Sequence, residues 1–245
     1  MFVRDQTGFQ KVALAPSRLP FHKPKIVFVI DDIGHTLDHY KLLERLGNQV
    51  TYAILPLLPY SETFSEMSQR TGAEVLLHLP MEAEDGTIPG PGLMAERMSP
   101  FHLRDLLGRN LDSVPHRVGV NNHMGSRGTA NPVLMEIILK ELKKRRLFFL
   151  DSYTTPDTVS FEIGKKIGLG VLRRDVFLDN TDSPSAIRKE IEQLAFVARQ
   201  NGYAIGIGHY RYNTLKVLEE EMPRLREEGF EIASLSELLQ FKSKR

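Results

Sequence analysis

The run Lys25-Ile26-Val27-Phe28-Val29-Ile30 leads directly into Asp31-Asp32, and that junction constrains the fold more than any other part of the chain. Consecutive β-branched and aromatic residues with no polar alternation read as a strand buried on both faces. Such strands belong to α/β proteins, in which the C-terminal strand ends carry the site. Two adjacent carboxylates at a strand exit repel, so one must lose its charge or both must share a cation, and a divalent metal is the usual solution. A plainer alternative is a helix cap beside a solvated side chain. Gly34 and Thr36 stand where a turn and an N-cap would fall, so that role requires neither aspartate.

Apolar runs of similar length recur along the chain and predict strands at Ile26–Ile30, Val50–Leu55, Glu74–Leu79, Arg117–Asn121, Leu147–Leu150, Gly170–Arg173, Tyr203–Gly208 and Phe230–Ala233. Between them lie amphipathic segments with helix-start signals. Ser99-Pro100, Asn131-Pro132 and Ser183-Pro184 each place a capping residue before a proline suited to the first helical position. Leu134, Ile138 and Leu142 recur at helical spacing, as do Ile187, Ile191, Leu194 and Ala198, while Pro223 is expected to break or bend the helix that follows Asn213. With 245 residues and 41% hydrophobic content, the expectation is one α/β domain, residues 25–245, behind a lead of residues 1–24. About seven or eight βα units favour a (β/α) barrel, complete or distorted. An open nucleotide-binding sheet would need a glycine-rich phosphate loop, and Asp31-Asp32-Ile33-Gly34-His35 is not one.

Composition removes several classes of function. A net charge of +1 gives no sign of a surface built for nucleic acid or membrane and so disfavours those partners, and zero cysteines leave only His, Asp and Glu to hold a metal. No apolar run reaches transmembrane length, and residues 1–24 carry no signal-peptide pattern. What stands at the strand ends is more specific: Asp31-Asp32, His78, Asn121-Asn122-His123, Asp151-Ser152, Arg174-Asp175 and His209. In a barrel these exits converge on one face, and two aspartates with two or three histidines suit zinc or another divalent ion. The segment from Asn121 to Ser126 reads as a tight hydrogen-bonded loop. His22, His35, His39, His102 and His116 read as solvated or capping. Glu82 is a candidate ligand, outer partner or helix-start carboxylate. Asp151 is a candidate partner for a histidine's second nitrogen, and Asp175 and Asp179 could orient the site or pair with Arg173 and Arg174.

Six segments in order carry a resemblance: Val29-Ile30-Asp31-Asp32-Ile33-Gly34, Leu77-His78-Leu79-Pro80-Met81-Glu82, the stretch from Gly119 to Ser126, Phe149-Leu150-Asp151-Ser152, the stretch from Arg174 to Asn180, and Ala204-Ile205-Gly206-Ile207-Gly208-His209. The chain from Lys25 to Leu239 resembles the divergent polysaccharide deacetylases, relatives of the NodB-homology carbohydrate esterases. The resemblance implies Asp31 as base, Asp32 as metal ligand and His209 as acid. It also implies His78 as a second ligand. The position where those enzymes carry another histidine holds Glu82, so His123 is the candidate replacement, with Asn122 and Ser126 as supporting residues of its loop. The expected activity is removal of acetyl groups from a cell-envelope polysaccharide or oligosaccharide by a divalent metal, zinc first, with periplasmic or envelope location implied by the family alone. Two other readings stand beside it. One is a silent carbohydrate- or partner-binding barrel. The other is a glycoside hydrolase pairing Asp31 or Asp32 with Asp151 or Asp175.

Overall fold

A computed structural model describes residues 23–243; most of the lead over residues 1–24, His22 included, lies outside them. The elements alternate as β1 (Lys25–Ile33), α1 (Tyr40–Leu46), β2 (Thr51–Ile54), α2 (Ser61–Thr71), β3 (Val75–Met81), α3 (Pro100–Asp112), β4 (Arg117–Met124), α4 (Pro132–Lys144), β5 (Phe148–Asp151), α5 (Ser160–Ile167), β6 (Val171–Arg173), β7 (Val176–Phe177), α6 (Pro184–Asn201), β8 (Tyr203–His209), α7 (Tyr212–Glu227), β9 (Glu231–Ile232) and α8 (Leu235–Ser243). The three Pro-led helices start as their sequences require. The side chains of Ser99, Asn131 and Ser183 accept from the backbone N–H of His102, Leu134 and Ala186, and the proline occupies a position whose N–H would have no partner. Along α4, Leu134, Ile138 and Leu142 are buried, and along α6 so are Ile187, Ile191, Leu194 and Ala198. Each such leucine or isoleucine side chain stabilises the fold by about 1.5–3 kcal/mol.

Every pairing in the sheet is parallel, in the order β6-β5-β4-β3-β2-β1-β8-β7. The result is a curled, incomplete barrel whose two end strands, β6 and β7, do not pair. They are nevertheless close, because only Arg174 and Asp175 connect them and three extended Cα steps span at most about 11 Å. Alternating side chains divide into two layers. Ile26, Phe28 and Ile30 join the helix-covered layer, whereas Val27, Val29, Leu76, Leu150, Ile205 and Ile207 form the inner one. Ala233, Leu235 and Leu238, from β9 onward into α8, belong to that inner cluster.

Three sequence expectations change, and one strand had no counterpart among them. Asn121 to Met124 is not loop, since β4 continues to Met124 with Leu79, Pro80 and Met81 of β3 paired against Asn122, His123 and Met124. Phe230–Ala233 contributes only the two-residue β9, which pairs with Lys25 and Ile26 outside the main strand order, beside the stretch of β1 that short β2 leaves free. β7 is too short to carry a periodic signal and gave none. Finally, α7 runs unbroken through Pro223, with Met222 and Leu225 on either side buried in the core; packing outweighs the lost backbone hydrogen bond.

Candidate active site

Strict alternation would send Asp31 inward with Val27 and Val29 and turn Asp32 toward the helices. The ladder prevents this. β1 pairs regularly with β2 at Val29 and Ile30, slips, and resumes at Ile33, while Asp32 adopts a left-handed φ of 63°. A bulge re-aims the side chain it carries, and a non-glycine residue held in this region costs on the order of 1–3 kcal/mol and persists only where its surroundings over-determine it. Both carboxylates consequently reach the same histidine: His78 Nε2 is 3.5 Å from Asp31 Oδ2 and 3.3 Å from Asp32 Oδ1.

His78 comes from the inner face of β3 and is buried. His123 comes from β4, and its Nδ1 lies 3.1 Å from both His78 Nε2 and Asp32 Oδ1. Asp32 Oδ1, although buried, has no hydrogen-bond partner among the described residues. Three potential donor atoms thus crowd one point, and among the described residues Asp32, His78 and His123 form the group able to hold a metal ion. Separations of 3.1–3.3 Å match the edges of a tetrahedron with bonds of about 2.0–2.1 Å, the length of zinc–nitrogen and zinc–oxygen bonds. The residues present therefore fit a divalent ion.

Asn121 decides how the imidazole is presented. Its Nδ2 donates to Asp31 Oδ1 at 2.9 Å, so its Oδ1 faces His78 Nδ1, also at 2.9 Å. A carboxylate only accepts, which sets the amide, and the amide oxygen then requires the proton on His78 Nδ1. Nε2 is left with its lone pair toward Asp32 and His123. Burial raises the Asp31 pKa, helped by the charge of Asp32 and opposed by His78, His209 and Asn121. Burial acts on Asp32 in the same direction, but the imidazoles of His123 and His78 hold its carboxyl well below the ordinary range. Burial disfavours a charged His78, yet Asp31 and Asp32 outweigh it and raise its pKa.

His209 ends β8 as the register partner of Asp31. Its Nδ1 faces Asp179 Oδ1 at 2.7 Å, and its own N–H donates to Asp179 Oδ2 at 2.7 Å. Thr214 donates to Asp179 as well, at 2.6 Å. Burial works against charging the imidazole, but Asp179, then Asp31 and Asp32, raise its pKa above the ordinary value.

Asp31, Asp32, His78, His123 and His209 are brought together; the other sequence candidates are not. Glu82 accepts from Glu96 N–H at 3.0 Å and lies 3.8 Å from Arg127, holding the segment after β3. Asn122 faces away from the donor cluster, bonding Met124 O, Thr154 and Ser152 N–H. Ser126 accepts from Glu84 N–H. Asp151 touches no histidine among the described residues. It alternates with inward Leu150, so it turns toward α5 and accepts from Thr158, Ser160 and Tyr153 N–H. Asp175 accepts from Ile205 N–H at 2.8 Å. Among the solitary histidines, His116 pairs with Glu66 and His39 packs on Tyr210. Sequence reasoning assigned Asn121 no role of its own and Asp179 only a choice between orienting the site and pairing with an arginine; both contact site residues directly. The signal for Asn121 was parity, since it shares a strand face with His123 and Asn122 does not. Beside the centre, a cleft of about 580 Å³ begins at Met124 and is lined by Ala83, Glu84, Asp85, Thr87, Ser126 and Thr154.

Residues 28–239 match the family model described as divergent polysaccharide deacetylase, and the chain belongs to that family. An uncharacterised protein of Haemophilus influenzae is 32% identical over 208 residues, 85% of this chain and 74% of that protein. A solved structure of an uncharacterised protein from Agrobacterium tumefaciens superposes with a TM-score of 0.85 at 25% identity, covering 90% of this chain and 91% of that one. The same fold at 13% identity is found in the catalytic domain of a peptidoglycan N-acetylglucosamine deacetylase from Eubacterium rectale (TM-score 0.51, covering 87% and 89%) and in a mutant of a CE4 family pseudoenzyme (TM-score 0.57, covering 89% and 67%).

Proposed function

We propose that this protein is a metal-dependent hydrolase that removes acetyl groups from a cell-envelope polysaccharide. The observation that carries the reading is the orphaned Asp32 Oδ1, 3.3 Å from His78 Nε2 and 3.1 Å from His123 Nδ1. Asp32, His78 and His123 would hold the ion, and zinc suits a donor set of one carboxylate and two imidazoles. Such an ion acidifies a bound water and polarises an acetyl carbonyl. Asp31, oriented by Asn121, takes the proton of the attacking water. His209, its Nδ1 engaged by Asp179, carries the proton delivered to the departing amine or alkoxide from Nε2. The cleft from Met124 to Thr87 accommodates the sugar chain with hydroxyl and carboxylate groups. An envelope address follows from the substrate class; among the described residues no helix is long and apolar enough to cross a membrane.

Acetate release from N-acetylglucosamine oligomers and from an O-acetylated polysaccharide, measured with zinc supplied, tests the reading. Asp31→Asn should lower kcat by about 10²-fold or more while retaining the metal content of the parent. A protein that binds zinc and glycan but releases no acetate would be the silent binding barrel. New reducing ends without acetate would establish the glycoside hydrolase.

A further inference from the structure

We infer that Arg174 positions the His209 imidazole by clasping the seam at which the barrel fails to close; the inference rests on reading His209 as the proton donor. Arg174 lies in the two-residue passage between β6 and β7, the unpaired ends of the sheet. Its backbone belongs to one side of the seam, with its N–H donating to Asp151 O at 3.0 Å. Two of its side-chain donors hold that same side, Nε to Ser152 O at 2.7 Å and Nη2 to Tyr153 O at 3.0 Å. The flat face of the guanidinium lies on the other side, with Cζ 3.5 Å from the centre of the Phe177 ring in β7. Phe177 is stacked in turn on His209, the ring centres 6.2 Å apart and the planes 18° from parallel.

A stack of guanidinium, phenyl and imidazole therefore runs from the exit of β5 across the seam to the end of β8. Asp179 holds one edge of the His209 ring at Nδ1, which fixes the tautomer but leaves the ring free to tilt about that bond. A face contact removes the tilt, and Phe177 supplies it. Phe177 needs support of its own, because β7 pairs on one side only and no ladder joins it to β6. Arg174 supplies that support by combining directed hydrogen bonds to β5 with a cation–π contact to β7. Burial lowers its pKa to about 10, so it remains cationic at neutral pH. Lysine has neither the planar face nor the fork of donors. Arg174 is a positioning residue, since its influence reaches the reacting atoms only through Phe177 and His209.

Zinc-loaded R174M, R174K, F177L and the double variant R174M/F177L test this on an acetylated oligomer that the parent turns over. Each single variant should lose about 10- to 100-fold in kcat, with KM and metal content within about twofold of the parent. The double variant should lose no more than the worse single one, because both break one chain of contacts. The His209 ring-proton resonances, assigned by their disappearance in H209N, should shift in R174M and F177L as the Phe177 ring current is displaced or removed. Resonances unmoved in R174M, or losses that add in the double variant, would overturn the assignment. If the parent releases no acetate, the deacetylase reading fails separately and the resonance shift alone decides the positioning role.

Discussion

At the scale of single residues, neighbours rather than residue type distinguish the two acids of the Asp31-Asp32 pair. Asp31 is buried beside a neutral amide and Asp32 between two imidazoles, so burial raises one carboxyl while the imidazoles hold the other down. Asn121 makes the strongest single-residue prediction. Asn121→Leu should weaken zinc binding about 10- to 100-fold, read by competition with a chelating dye, because the His78 tautomer is no longer enforced. The Asp179–His209 pair predicts a pH effect of definite sign. Burial opposes the charged form of each partner, but their hydrogen bond raises the His209 pKa and lowers that of Asp179. The pair stabilises the fold fully above the unfolded aspartate value of about 3.9 and below the unfolded histidine value of about 6.5. Its contribution is lost as pH falls through the depressed Asp179 pKa and as pH rises through the raised His209 pKa. Asp179→Asn should move the alkaline limb of the kcat profile to lower pH, because His209 then loses its proton sooner; an unmoved limb would remove His209 from the acid role.

At the scale of elements, much was legible. Cap-proline pairs mark the starts of α3, α4 and α6, because a capping oxygen and a residue without N–H solve the same local shortage of acceptors. Ser183→Ala should therefore cost about 1 kcal/mol in urea unfolding, with no change in kcat. Which strand residues face the site was legible only where alternation held. It correctly separates Asn121 from Asn122 and Leu150 from Asp151, but it fails at Asp32, where the bulge in β1 turns an outward position inward. No residue at that point announces the bulge. The left-handed backbone at Asp32 is imposed by the flanking pairings, with β8 in register through Asp31 on one side and β2 displaced on the other.

At the scale of the whole molecule, the barrel is a sheet with one open seam, and its inner layer is completed by residues that follow β9. Leu238 is fully buried in that layer, with Leu235 and Ala233. Leu238→Ala should destabilise by about 2–5 kcal/mol in thermal or urea unfolding, whereas the same change at exposed Val133 should be nearly neutral. By itself the sequence determined the parallel α/β architecture, the helix starts and the identity of the titratable groups at the strand ends, because burial periodicity and capping are local properties of the chain. Only the tertiary structure decided that β6 and β7 stay unpaired, that His123 rather than Glu82 meets His78, and that Asp32 turns inward. Each of these depends on strand register and curl, set by how distant segments pack together and carried by no residue alone.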